Sequence, residues 1–106
     1  MSIHIISYDL KGHESRDEYR KLYREIYSLG KVEWIQFSTW IVETPLTDVE
    51  IRNHLQKVTD FNDSLFVATL SSYASFNIPV KASNLISRTW NPPLSPLLGN
   101  IRPKLA

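Results

Sequence analysis

The sequence predicts a small α+β sandwich, and three observations carry the expectation. Four short runs are rich in β-branched and aromatic residues, two helical periods each open on a capping box, and the two kinds of segment alternate in the order βαββαβ. A chain of 106 residues is long enough to bury one modest core and too short for two. That order, with short connections, is what a split βαβ arrangement needs to lay two helices on one face of a four-stranded antiparallel sheet, so the expected class is a ferredoxin-like sandwich.

Residues 2–8 hold Ile3, Ile5 and Ile6 and are bounded by Asp9 and the turn signal Lys11-Gly12, which reads as a first strand. Ser15 and Glu18 have capping-box spacing. Tyr19, Leu22, Tyr23 and Ile26 follow at helical period and Gly30 suits a helix end, which predicts a helix over 16–29. Residues 32–37 and 39–44, with Trp34, Ile35, Phe37, Trp40, Ile41 and Val42, suit two pleated strands joined by a tight turn at Ser38. Pro45 ends the second of these. Thr47 and Glu50 make another capping box, Leu46 and Ile51 occupy hydrophobic-staple positions, and Ile51, Leu55 and Val58 mark the buried face of a second helix. After the polar turn at 60–63, residues 65–70 read as a fourth strand.

Two helices cover only one face of such a sheet. A second face carrying side chains as large as Trp34 or Trp40 would be an apolar patch that monomers rarely expose, so dimerisation or cover from the C-terminal part is expected. The body is taken as 1–76 and a C-terminal extension or arm as 77–106. In the extension, residues 79–90 suit a short helix or an added strand, and four of the six prolines fall between Pro92 and Pro103. The run Pro92-Pro93-Leu94-Ser95-Pro96-Leu97-Leu98 fits neither a central strand nor a long helix, and its leucines are too apolar for a purely solvated linker. Residues 91–106 therefore read as an extended arm for another subunit or a protein partner.

Composition sets the outer limits. Twelve basic and eleven acidic side chains give a formal charge of +1, which lacks the strong net field of a dedicated nucleic-acid binder and leaves only local patches for such a role. The chain has no cysteine, which removes disulfides and thiolate metal sites, and no apolar run approaches the roughly 18 residues of a membrane span. With a start that lacks the features of a signal peptide, a soluble, cytoplasmic protein without membrane contact is expected. There is no G-x-S-x-G elbow, P-loop or G-x-G-x-x-G fingerprint.

The run Ile5-Ile6-Ser7-Tyr8-Asp9-Leu10, the basic helix, the strand Ser38-Thr39-Trp40-Ile41-Val42-Glu43-Thr44, the capped start at Leu46-Thr47 and a short final strand together resemble the small CRISPR-associated spacer-acquisition proteins and their VapD-type toxin relatives. The resemblance spans about residues 2–71. It implies a ferredoxin-like homodimer in which Asp9 faces its symmetry mate and holds a divalent metal, Mg2+ or Mn2+. Such a dimer either cuts RNA or DNA or serves as a non-catalytic scaffold. The longer segment 11–14, the proline-rich tail and the low net charge depart from that pattern.

The residues themselves allow both outcomes. One carboxylate makes a poor magnesium site, but a two-fold axis supplies a second, and an ion so held would polarise a phosphodiester. The plainer reading makes Asp9 a turn residue that bonds nearby backbone N–H groups. His13 is the candidate acid or base beside Asp9, since its ordinary pKa is near neutrality. Arg16, Arg20, Lys21 and Arg24 recur on the first helix as candidate phosphate contacts, with Asp17, Glu18 and Glu25 interleaved so that an ion-paired solvated face is the alternative. His4, His13 and His54 have no metal-ligand spacing. Trp34, Phe37 and Trp40 are candidates for stacking on bases, or for core and dimer packing. The two functions that remain are a metal-dependent endonuclease and a non-catalytic interaction module binding through its sheet face and tail.

Overall fold

The computed structural model describes residues 1–11 and 16–91. The elements run β1 (Ser2–Asp9), α1 (Arg16–Tyr27), β2 (Lys31–Gln36), β3 (Thr39–Thr44), α2 (Asp48–Gln56), β4 (Ser64–Thr69) and α3 (Val80–Trp90). The four strands form one antiparallel sheet in the order β2-β3-β1-β4. Its first six elements follow the expected βαββαβ order, and the arrangement is compatible with a ferredoxin-like fold. No helix among the described residues is long and apolar enough to cross a membrane.

Strand alternation assigns each residue to a face. On the first face, Ile6 and Tyr8 of β1 lie beside Trp40 and Val42 of β3 and beneath Leu22 and Ile26 of α1 and Ile51 and Leu55 of α2. These six aliphatic residues are fully buried, and Tyr8 and Trp40 nearly so. The Trp40 indole Nε1 donates to the Tyr8 hydroxyl at 3.1 Å, and the rings of Tyr23 and Tyr27 each pack on Trp40 at 5.5 Å. Burial pushes the Tyr8 phenol far above its ordinary range, so it stays neutral and works as a packing and hydrogen-bonding group.

Local chemistry sets the connections. Thr47 Oγ1 accepts from the Glu50 N–H and Glu50 Oε1 accepts from the Thr47 N–H, so the expected capping box starts α2. The corresponding Ser15 lies outside the described residues. Ser38 turns the β2–β3 hairpin in the left-handed region, with φ 58°, next to a register shift between Trp34 and Gln36. Gly30 is demanded by close approach rather than by capping alone: a Cβ there would meet the Glu43 carbonyl oxygen at 2.3 Å.

The second face is covered from the C-terminal part, one of the two outcomes expected for it. The C-terminal extension contributes a helix, not a strand: Ala82, Leu85 and Ile86 of α3 bury against Ile3 and Ile41, flanked by Ile35, Leu70 and Ile78. The Thr89 hydroxyl also donates to the Glu43 carboxylate. The tryptophans are not on this face. Trp34 and Trp40 are register partners on the α1 side, where Trp40 is core, so they form no open stacking platform. Of the aromatic candidates, Phe37 in the hairpin turn is the one left almost fully exposed.

Candidate metal and nucleic-acid site

Asp9 is the last residue of β1 rather than a turn residue, and it pairs in register with Ser64 of β4. With Ile3, Ile5 and Ser7 it belongs to the second face, but at the end that α3 does not reach. Its carboxylate is about two-thirds exposed, and the Lys11 ammonium stands 3.9 Å from Oδ2. Beside it Asp63 is already committed: Oδ1 accepts from the Lys11 N–H and Oδ2 from the Asp60 N–H, both at 2.8 Å, which ties the β1 exit to the turn before β4.

Between Asp9 and the groove under α3 runs a strip of sheet with a different composition. Phe66, Ser7 and Thr39 are neighbours across β4, β1 and β3, and Phe66, Phe37 and Phe76 are largely exposed. Three phenylalanines around a short polar row are the sort of surface that self-association would cover.

Asp9 by itself would offer an ion a single carboxylate. Among the described residues there is no group of three or more His, Asp or Glu side chains able to hold an ion. The donor set therefore fits magnesium or manganese only where a two-fold axis adds a second Asp9 and oxygen ligands from water and phosphate complete the shell. His13, the expected acid or base, lies outside the described residues.

Arg20, Lys21 and Arg24 share one exposed stripe of α1, opposite the buried Leu22 and Ile26. Asp17 stands at the end of that stripe and approaches Arg20 to 4.0 Å, an exposed pair of little energetic weight. The side chain of Arg16 lies outside the described set. Because α1 covers the first face, the sheet separates this stripe from Asp9. The structure brings the three cations together and does not bring them to the carboxylate.

A polar cluster around a buried histidine escaped the sequence reading. His4 of β1 is buried on the first face, its Nδ1 2.6 Å from Asp48 Oδ1 at the start of α2, and the Thr69 hydroxyl lies 3.0 Å from both Asp48 oxygens. His4 Nε2 is buried without a hydrogen-bond partner. The three residues are 44, 21 and 65 positions apart in pairs, so no local spacing reveals them. The one signal available is a histidine at a core position in the alternation His4, Ile6, Tyr8. The cluster ties α2 to β1 and to the edge strand β4, and no described pocket opens onto His4.

No protein-family model matches the chain. Among solved structures it is similar to "a hypothetical protein TT1823 from Thermus thermophilus", with a TM-score of 0.56 and 18% identity, over 74% of this chain and 94% of that one. A likeness at that identity supports the architecture alone.

Proposed function

We propose that the protein is a ferredoxin-like homodimer associated with nucleic acid, and that it cleaves RNA or DNA with a divalent ion held between paired Asp9 carboxylates. The observation that carries this reading is the position of Asp9. It is exposed at the end of the strip that α3 leaves uncovered, so isologous pairing of that strip sets two Asp9 side chains toward each other. A bound magnesium or manganese ion would supply Lewis-acid polarisation of the phosphodiester and a more acidic water. Asp9 from each protomer would hold the ion, Lys11 would balance local negative charge, and His13 would move the proton. Arg20, Lys21 and Arg24 would lie on the outer surface of such a dimer, where phosphate contacts position a strand without reading its sequence.

The second reading, a non-catalytic module that binds a protein partner through its sheet face and residues 91–106, is favoured by the Lys11 ammonium. At 3.9 Å it can occupy Asp9 as an ion-pair partner in place of a metal. Cleavage of labelled RNA and DNA by wild-type and Asp9→Asn protein, with and without magnesium or manganese, separates the two. The nuclease reading expects metal-dependent cleavage that falls at least about 100-fold in the variant, in the range of losing a catalytic group, with the solution mass of a dimer in both. Equal cleavage by both proteins would take Asp9 out of the chemistry and sink the paired-carboxylate site, and no cleavage by either would sink the nuclease reading and leave the interaction module.

A further inference from the structure

We propose that residues 92–98 of the same chain, Pro-Pro-Leu-Ser-Pro-Leu-Leu, dock as an extended arm in the apolar groove between α3, residues 70–78 and the sheet. The groove has a volume of about 280 Å3, with walls that include Ile5, Ile35, Ile41, Tyr73, Ile78 and Ile86. It carries no Asp, Glu, Lys, Arg or His side chain. At that size it is slightly below the 300–1,000 Å3 typical of small-molecule sites and suits a few aliphatic side chains.

Where the described chain ends decides the occupant. The Trp90 ring packs edge-on against Tyr73, with centroids 5.4 Å apart, and Tyr73 is itself part of the groove wall. The backbone therefore leaves α3 at Asn91 beside the rim, with 15 residues, 92–106, still to place. The first ten of them, 92–101, contain no charged side chain, so they match the groove in polarity. Prolines at 92, 93 and 96 favour polyproline II, in which seven residues span about 22 Å at three residues per turn. Leu94 and Leu97, three apart, then fall on one edge of the arm. Its preset conformation also lowers the entropy lost on docking. The groove stops at Ile5 and Thr39, so a docked arm leaves Asp9 and Phe66 uncovered, and the proposal stands apart from the nuclease reading.

The test uses the full chain with 13C-labelled methyl groups. In protein labelled at both Ile and Leu, nuclear Overhauser cross-peaks are expected from Leu94 and Leu97 to Ile41 and Ile86. They should be absent from a mixture of chains labelled at Ile alone with chains labelled at Leu alone. In the full-length variant Leu94→Ser with Leu97→Ser, the Ile41 and Ile86 methyl signals should shift while those of Ile26 and Ile51, on the opposite face, stay in place. Absence of the cross-peaks from the doubly labelled protein overturns the proposal. Their appearance in the mixture also overturns it and gives the groove to the arm of a second copy.

Discussion

The two faces of the sheet share the same four strands and are closed in different ways. On the first, two helices set Leu22, Ile26, Ile51 and Leu55 over Ile6, Val42 and Trp40, and the contact is continuous from α1 to β4. On the second, among the described residues, a single helix covers Ile3 and Ile41 and leaves a groove beside it and, next to the groove, the Phe66–Ser7–Thr39 strip. The difference teaches where each property resides. Folding free energy comes chiefly from the closed face, whereas the apolar groove and the phenylalanine-edged strip lie on the half-closed one, along with Asp9.

The largest expected effect tests that division directly. Ile26→Ala removes a fully buried side chain from the closed face and should cost about 3 kcal/mol of unfolding free energy, by lost transfer plus an unfilled cavity. Ile5→Ala, at a half-buried wall of the groove, should cost about 1 kcal/mol, since part of that side chain is already in contact with solvent. Urea unfolding of both variants measures the gap. Equal costs would mean that the second face is as closed as the first.

A smaller effect separates the two faces through their helix starts. The α2 start has a complete capping box, whereas Pro79 precedes α3 with no side-chain cap. Thr47→Ala should cost about 1 kcal/mol. The Thr47 backbone N–H and hydroxyl hold the Glu50 carboxyl below its ordinary pKa. A carboxylate with a depressed folded-state pKa contributes stability that is present above its unfolded pKa and is lost as pH falls through the folded value. Glu50→Gln should therefore be less stable than wild type near neutrality and converge on it in acid, below the ordinary carboxylate range. A difference that stays constant from pH 7 to pH 3 would show that the box contributes nothing through charge.

The closed face was legible in the sequence because its signals are local. Strand alternation, two S/T-x-x-E boxes and the Leu22, Ile26, Ile51 and Leu55 periods define its elements within a residue or two. The second face was legible only as a surface needing cover from the C-terminal part or a second copy, for reasons visible in particular residues. Val80, Leu85 and Ile86 show no helical period, but Ala82, Leu85 and Ile86 do. Ala82 is the buried residue and Val80 the exposed one, and a methyl group is easily passed over as a core position. The placement of the tryptophans depends on sheet register, which pairs Trp34 with Trp40 and turns both toward α1. Asp9 was legible as a candidate from its strand, and its side of the sheet follows from Ile3, Ile5 and Ser7. Its separation from Arg20, Lys21 and Arg24 follows only from the helices' choice of face. The His4–Asp48–Thr69 cluster required the tertiary fold itself.

The smallest expected effect on stability is the one that bears most on assembly. Phe66 is 64% exposed on the edge strand and lies across from Ser7, so Phe66→Lys should change unfolding free energy by no more than about 0.5 kcal/mol, as for an ordinary surface site. If the strip is the dimer contact, the same change sets two like charges near a two-fold axis and removes an aromatic anchor. The dimer dissociation constant should then rise at least about tenfold, equivalent to 1.4 kcal/mol. Sedimentation equilibrium over a concentration series reads this independently of folding. A variant as dimeric as wild type would take the strip out of the interface, and with it the facing of one Asp9 toward another.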